Sequence, residues 1–156
     1  MLLPRVPTIL LVDDAEVVRK SVARCLRRRG YIVLEAATGS EALDLVAANG
    51  NQIDLILTDL VLPAMGGVEL IAEARRSIPS VAVAYMTGHL GPSARSESVL
   101  EAGTPVLLKP FTPSLLEQSV RETLLHAGWT GTLDLPRGGG GLGAWPDTSG
   151  SYRAPS

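Results

Sequence analysis

Five polar or charged residues each stand at the end of a short apolar run of the chain: Asp13, Asp14, Asp59, Thr87 and Lys109. Three carboxylates brought close together repel one another unless a cation lies among them. A few hard oxygen ligands with room for water suit Mg²⁺ better than Zn²⁺. An aspartate can also attack phosphorus to form an aspartyl-phosphate, while a lysine and a hydroxyl can bind phosphoryl oxygens. These residue types therefore predict Mg²⁺-dependent phosphoryl transfer to a carboxylate, if the fold brings them together.

Other metal or nucleotide chemistry is not indicated by the sequence. The histidines and the cysteine, His89, His126 and Cys25, lack the spacing of a Zn²⁺ site. Neither G-x-x-x-x-G-K-[ST] nor G-x-G-x-x-G occurs, so no phosphate-binding loop for a nucleotide is predicted. Asp59 taken by itself fits equally well as the cap of the turn that follows it. Only the residues at the other strand ends favour a chemical role.

The elements that must position these residues alternate between strands and helices. Apolar runs predict strands over residues 8–12, 31–35, 53–57, 80–86 and 105–108. Periodicity and chain breakers predict helices over residues 15–29, 40–49, 68–78, 92–102 and 113–127. Ser40 is the expected N-cap of the second helix, and Gly30 is expected to close the first. This order predicts an α/β fold, a doubly wound sheet of five parallel strands with five helices. Since the carboxyl ends of parallel strands share one edge, the five residues should meet in one crevice.

Together the residues resemble the receiver domains of response regulators in two-component signalling, which have a flavodoxin-like fold. The resemblance covers about residues 8–127 and is carried by Asp13-Asp14, Asp59, Thr87-Gly88 and Lys109-Pro110-Phe111 in that order. It implies that Asp59 is the phosphoacceptor, Thr87 the switch hydroxyl and Lys109 the residue that binds the phosphoryl group. It also implies a Lys109–Pro110 bond that is usually cis.

The resemblance further implies a Mg²⁺ site. Asp13, Asp14 or both would hold the ion with Asp59 and the backbone carbonyl of Val61. The phosphoryl donor would be a histidine kinase or a phosphotransfer protein. The domain would be a regulatory phosphoacceptor rather than an enzyme, with only self-phosphorylation and autodephosphorylation expected. A homodimer through the fourth helix, fifth strand and fifth helix is compatible with the resemblance.

One position departs from the common receiver pattern. Val106 stands three residues before Lys109, where the family often has an aromatic residue that turns inward as Thr87 moves. We therefore expect signalling to depend on Thr87 and the loops around it. The segment 105–111 is similar to that of receivers associated with hybrid sensor histidine kinases.

Composition limits the class of protein further. The chain has 156 residues, of which 46% are hydrophobic, and a net charge of −2. We expect one receiver domain over residues 8–127 after an N-terminal extension, residues 1–7, with no direct nucleic-acid binding and no membrane association. Residues 128–156 are rich in Gly, Pro and Ser, and should form a flexible tail. Its scattered aromatic and leucine residues are expected to be exposed, with docking of one of them on the domain or on a partner as the alternative. With one cysteine and no targeting segment or membrane span, the predicted location is cytoplasmic.

Two rival functions stay open on the sequence. A small phosphohydrolase would use Asp59 as its nucleophile, but it needs a second acid–base residue and a substrate-enclosing cap, and no insertion supplies a cap. A receiver-like scaffold that binds partners without phosphorylation would not require Asp59, Thr87 and Lys109 to be intact.

Overall fold

The computed structural model describes residues 5–88 and 103–129, together with the pair Tyr152–Arg153. Its elements follow in the order β1 Thr8–Val12, α1 Glu16–Arg28, β2 Ile32–Ala36, α2 Gly39–Asn49, β3 Leu55–Asp59, α3 Gly67–Ala74, β4 Ala82–Thr87, β5 Val106–Leu108, α4 Pro113–His126 and β6 Tyr152–Arg153. A 3₁₀ turn, Gly50–Gln52, precedes β3. The label α4 denotes the fifth predicted helix, because the fourth, over residues 92–102, lies outside the described residues.

The strands form one sheet in the order β2-β1-β3-β4-β5-β6. The first five strands are parallel, which confirms the predicted doubly wound α/β sheet. The last strand, β6, is an addition to the prediction. It pairs antiparallel with β5, with Val106 opposite Arg153 and Leu107 opposite Tyr152. A two-residue strand leaves no periodic signal in a sequence, so its pairing could not be predicted.

The core lies on both faces of the sheet. All five residues of β1 are buried, as are those of β3. Ile9 and Leu11 pack on one face, in a cluster with side chains of α1 and α4. Leu10 and Val12 pack on the other, in a cluster with side chains of α2 and α3. The continuous apolar runs are therefore explained by strands that are covered on two sides.

Helix α1 ends where the sequence predicts. Gly30 has a φ of 93° and its N–H donates to the carbonyl of Arg27 at 2.9 Å, while the N–H of Tyr31 donates to Leu26 at 3.2 Å. This pair of bonds is the Schellman arrangement, which favours glycine at the left-handed position. Gly30 is thus confirmed as the residue that closes the helix.

Helix α4 ends in the same way at Gly128, directly after the predicted end at residue 127. Gly128 has a φ of 86° and donates to Leu125 at 3.1 Å, and Trp129 donates to Leu124 at 3.0 Å. The Trp129 side chain packs against the core cluster below α4, so of the two possibilities left open for the tail residues, exposure or docking on the domain, Trp129 docks. The Arg5 guanidinium lies 5.3 Å from the centre of its ring. The signal was a glycine at the helix end followed by an apolar residue, which commonly packs back on the helix.

The N-cap of helix α2 lies two residues before the predicted one. Thr38, not Ser40, is the N-cap, because its hydroxyl accepts a hydrogen bond from the Glu41 N–H at 3.1 Å. The Glu41 carboxylate in turn accepts from the Ala37 N–H at 2.9 Å. The spacing of Thr38 and Glu41 is that of a capping box, a more complete signal than a lone serine. No helix in residues 5–88 or 103–129 is long and apolar enough to cross a membrane.

Candidate functional site

The carboxyl edge of the sheet gathers the predicted site residues. Asp13 directly follows β1, Asp59 ends β3, Thr87 ends β4 and Lys109 directly follows β5. The Lys109 N–H donates to the Thr87 carbonyl at 2.8 Å, which ties the ends of β4 and β5 together. The Thr87 side chain lies in this tied edge and is buried. The Lys109–Pro110 bond is cis, as the resemblance implied.

Lys109 bridges two of the carboxylates. Its Nζ lies 2.6 Å from Asp13 Oδ2 and 2.8 Å from Asp59 Oδ2. The side chains of Asp13, Asp59 and Lys109 are only 0, 12 and 17% exposed, so water screens these contacts weakly. Burial is the largest single influence on the pKa of Lys109 and lowers it. The hydrogen bonds and charges of Asp13 and Asp59 together outweigh burial, so the pKa of Lys109 is raised and the ammonium stays charged.

Asp14 completes an acidic cluster. Carboxylate oxygens of Asp13, Asp14 and Asp59 all lie within 4.8 Å of one another. Asp13 is buried and held through its Oδ1, which accepts from the Ala15 N–H at 2.9 Å. Asp14 is exposed at the mouth of the cluster. The arrangement has the donor chemistry of a site for a hard divalent cation, because all of its side-chain ligands are carboxylate oxygens.

The loop after β3 presents its backbone to Asp59. The Val61 N–H donates to Asp59 Oδ1 at 3.0 Å, which brings the peptide of Val61 to the cluster, while the Val61 side chain is 73% exposed. Gly67 starts α3 against the carbonyl oxygen of Asp59, so close that a Cβ there would overlap it. Gly67 also donates to the Leu60 carbonyl at 2.9 Å. The absence of a side chain at Gly67 therefore allows the close approach of α3 to the backbone of Asp59.

Arg19 contacts the backbone of the site and was not predicted from the sequence. Its Nη1 donates to the backbone carbonyl of Asp13 at 2.9 Å, and its Nε lies 3.5 Å from Glu35 Oε1. Arg27 pairs with the same Glu35 from the next turns of α1. Arginines are frequent on α1, so the residue type alone did not distinguish Arg19 from the others. The only signal in the sequence was the position of Arg19, one helical turn beyond the acidic pair.

Val106 lies in β5 beside Tyr85 of β4, half-buried. It packs against the cluster on the α2 and α3 face of the sheet. The position that often carries an aromatic residue is therefore filled by a small aliphatic side chain directed toward that face.

The structure is an α/β domain with a cluster of three aspartates at the carboxyl edge of its sheet, two of which are bridged by a lysine. The response regulator receiver domain model matches residues 9–121, and the chain belongs to that family. Its members are the regulatory phosphoacceptors of two-component systems, so the predicted family and its signalling function are confirmed.

Several known proteins are similar to this chain in sequence. The "Sensor kinase CckA" of Brucella abortus is 35% identical over 117 residues, which are 75% of this chain and 12% of that kinase. A response regulator receiver protein of Anaeromyxobacter is 38% identical, over 69% of this chain and 45% of that protein. A chemotaxis protein CheY homologue of Campylobacter jejuni is 32% identical over 74% of this chain and 91% of its own length.

The solved structures agree with the sequence comparison. The receiver domain of the hybrid histidine kinase CckA is 36% identical, with a TM-score of 0.65 over 75% of this chain and 98% of that domain. The CheY4 chemotaxis protein of Vibrio cholerae is 28% identical, with a TM-score of 0.68 over 76% of this chain. The chain spans less than half of the CckA kinase and of the Anaeromyxobacter protein.

Proposed function

We propose that this receiver accepts a phosphoryl group on Asp59 and that Lys109 holds the group there. The observation that carries the proposal is the Lys109 ammonium, which bridges Asp13 and Asp59 at 2.6 and 2.8 Å in a nearly buried edge of the sheet. A fixed cation beside a carboxylate favours the approach of a phosphoryl group, whose oxygens are negative.

The proposed phosphoryl transfer requires no reactant besides the chain and the phosphoryl donor. One carboxylate oxygen of Asp59 forms a new bond to phosphorus, while the bond from phosphorus to the donor breaks and the donor atom keeps the electron pair. That atom is an acetate oxygen when acetyl phosphate is the donor, and an imidazole nitrogen when a phosphohistidine is. The Val61 N–H and Lys109 hold the two carboxylate oxygens of Asp59, so the nucleophile is oriented before the donor arrives.

Mg²⁺ is the cofactor that we propose for the acidic cluster. Three carboxylates with one ammonium leave two negative charges, which a divalent cation would neutralise. Asp13, Asp14, Asp59 and the Val61 carbonyl would hold the ion through oxygen atoms alone, which suits Mg²⁺. When bound, Mg²⁺ would neutralise the charge between the carboxylate and phosphoryl oxygens.

We propose that Thr87 reads the phosphorylated state. Its hydroxyl would donate to a phosphoryl oxygen on Asp59, and this pull would move the β4 end and the loop that follows it. Val106 has no aromatic ring that could turn between an outward and an inward position. The surface change would therefore depend on Thr87 and the loop that follows it.

The proposed partners follow from the family. A histidine kinase or a phosphotransfer protein would donate the phosphoryl group, and the similarity to the receiver of a hybrid kinase supports either source. A homodimer through the fourth predicted helix, β5 and α4, a receiver domain over residues 8–127 and a cytoplasmic location stay part of the same proposal.

Intact-mass spectrometry of the full chain with acetyl phosphate tests the proposal. We expect one phosphoryl adduct that requires Mg²⁺ and is absent from Asp59→Asn. The control is Asp44→Asn, an exposed carboxylate on α2 that should leave the adduct unchanged. An adduct that persists in Asp59→Asn would overturn the assignment of the acceptor. Absence of any adduct, from acetyl phosphate or a kinase, would favour the scaffold. Steady hydrolysis of an organic phosphomonoester would favour the phosphohydrolase, because a receiver that dephosphorylates itself also consumes acetyl phosphate.

A further inference from the structure

Arg19 connects the acidic cluster to the neighbouring strand. It lies in the first turn of α1, and its side chain is only 14% exposed. Its Nη1 donates to the backbone carbonyl of Asp13 at 2.9 Å, and its Nε faces Glu35 Oε1 of β2 at 3.5 Å. Arg19 therefore touches neither a carboxylate of the cluster nor the space that a phosphoryl group would enter. It acts on the main chain behind them.

The backbone of Asp13 is held from several sides. Its N–H donates to the Ala36 carbonyl at 3.1 Å, which extends the pairing of β1 with β2 by one residue. Its carbonyl accepts a hydrogen bond from the Arg19 side chain. Asp13 is fully buried, and a buried carbonyl without a partner is costly. The orientation of the peptide between Asp13 and Asp14 is thus set by the Arg19 guanidinium.

Asp14 depends on that peptide. Within residues 5–88 and 103–129 its carboxylate makes no hydrogen bond or ion pair, and it is exposed. Asp13, by contrast, is fixed by Lys109 and by the Ala15 N–H. The position of the Asp14 carboxylate relative to the other two therefore rests on the main chain, which Arg19 holds.

Glu35 fixes the guanidinium in turn. Its two carboxylate oxygens face Arg19 at 3.5 Å and Arg27 at 3.0 Å. Glu35 neutralises the charge of Arg19. Arg19 therefore affects the acidic cluster by orienting the Asp13–Asp14 peptide more than by adding a net positive charge. The guanidinium of Arg19 carries several N–H donors, so it can contact the Asp13 carbonyl and the Glu35 carboxylate at the same time.

We propose that Arg19 is a positioning residue for the cation site, and that it acts through the Asp13–Asp14 peptide to hold Asp14 against Asp13 and Asp59. This inference rests on the proposed Mg²⁺ site. Removing residues that orient metal ligands typically weakens metal binding by about 10–100-fold. Arg19 does not touch the reacting atoms, so its loss should raise the Mg²⁺ requirement and leave the rate at saturating Mg²⁺ unchanged.

Arg27 provides a matched control on the same helix. It pairs with the same Glu35, and its Nη2 donates to a backbone carbonyl, that of Val33, at 2.9 Å. It has no contact with Asp13. Arg19→Met and Arg27→Met each remove one ion pair to Glu35 and one bond to a main-chain carbonyl, and both keep an aliphatic stem. Only Arg19→Met should affect the cation site.

The test is isothermal titration calorimetry of Mg²⁺ into the full, unphosphorylated chain. We expect Mg²⁺ to bind Arg19→Met about tenfold more weakly than wild type, by analogy with other residues that orient metal ligands. Arg27→Met should match wild type, and Arg19→Lys, which still carries a donor, should recover most of the affinity. With acetyl phosphate, the Mg²⁺ concentration for half-maximal labelling should rise in Arg19→Met while the maximal rate stays the same.

Equal Mg²⁺ affinities in Arg19→Met and Arg27→Met would overturn the inference, as would a fall in the maximal rate alone. If Arg19→Met does not fold, Arg19→Gln, whose shorter polar head falls short of the Asp13 carbonyl, replaces it with the same expected result. A wild-type chain that binds Mg²⁺ but forms no adduct refutes the proposed phosphorylation only, and Arg19 is still judged by affinity. A wild-type chain that binds no Mg²⁺ refutes the cation site and this inference with it.

Discussion

Gly67 shows how one residue without a side chain constrains the reactive carboxylate. A Cβ at this position would overlap the Asp59 carbonyl oxygen and lie 3.1 Å from the Leu60 Cα, and both neighbours are backbone. Neither can turn aside as a flexible side chain would. Gly67→Ala should therefore move the main chain at Asp59, lower the free energy of unfolding by about 3 kcal/mol and reduce labelling by acetyl phosphate. Urea denaturation followed by circular dichroism measures the first effect.

Gly66→Ala is the matched control for that change. Its Cβ would meet its nearest atom, the Leu60 carbonyl oxygen, at 3.6 Å, which is ordinary contact. Its φ of −69° suits any residue. We expect a cost within about 1 kcal/mol, since Gly66 is an N-cap position where alanine is a modest loss. Equal losses for the two variants would show that Gly67 serves only as a loop glycine.

At the scale of residues, the sequence predicted the members of the site better than their supports. Asp13, Asp59, Thr87 and Lys109 could be found because each follows an apolar run, and parallel strands bring such ends to one edge. Arg19 could not be found in this way. Its partner is a main-chain carbonyl, and a backbone acceptor leaves no mark on the identity of any residue.

The buried face of helix α4 contains a serine, Ser119, that lowers the stability of the fold. Ser119 is 1% exposed, and its hydroxyl has no hydrogen-bond partner among the residues that the structure describes. A buried hydroxyl without a partner costs free energy, and alanine is also the better helix former. Ser119→Ala should therefore raise the free energy of unfolding by about 1 kcal/mol. Urea denaturation of the two proteins checks this.

Thr123 lies one turn further along α4 and should respond in the opposite sense. Its hydroxyl donates to the Ser119 carbonyl at 2.6 Å. Thr123→Val keeps the shape and removes that bond, so a loss of about 1 kcal/mol is expected. A loss of stability in Ser119→Ala would contradict the argument, because it would mean that the Ser119 hydroxyl is satisfied in solution.

Tyr31, at the junction of α1 and β2, should make the fold sensitive to alkali. It is 3% exposed, and burial raises its pKa from 10.0 to about 12. Below pH 10 the phenol is neutral in both folded and unfolded chains, and its contribution is fully present. Between pH 10 and about 12 the unfolded chain loses the proton first, so stability falls by on the order of 2 kcal/mol.

Tyr31→Phe isolates this contribution in urea denaturation at pH 9 and pH 11.5. The raised pKa of Lys109 makes its stabilisation disappear over a similar alkaline range, but this loss is common to both proteins. The fall between the two pH values should be smaller in Tyr31→Phe than in wild type. The same fall in both would show that Tyr31 ionises as freely in the folded chain as in the unfolded one.

At the scale of elements, burial on two sides made the strands predictable. Every strand of the predicted five is present, because covered strands need continuous apolar runs. The ends were less predictable. The cap of α2 depended on the pairing of Thr38 with Glu41, and β6 is held to β5 by main-chain groups that any residue offers.

The whole molecule separates two clusters at opposite edges of the sheet. The acid site lies at the carboxyl ends of the strands, whereas Arg5, Asp54 and Trp129 meet at the amino ends. Arg5 pairs with Asp54 at 2.9 Å and stacks on the Trp129 ring, so the segment before β1 is fastened to the end of α4. The predicted boundaries at residues 8 and 127 therefore leave out residues that pack on the domain.

This separation makes Trp129 a reporter of the amino edge alone. In a Trp145→Phe background, Arg5→Met should change the emission of Trp129, because the guanidinium leaves the ring face, and lower the free energy of unfolding by about 1 kcal/mol. Labelling by acetyl phosphate should be unchanged, since Arg5 has no contact with the carboxyl edge. Arg76→Met serves as the control and should alter neither quantity. Arg76 is an exposed arginine just after α3 that pairs with Glu73. Slower labelling in Arg5→Met would contradict the separation and show that the two edges are coupled through the sheet.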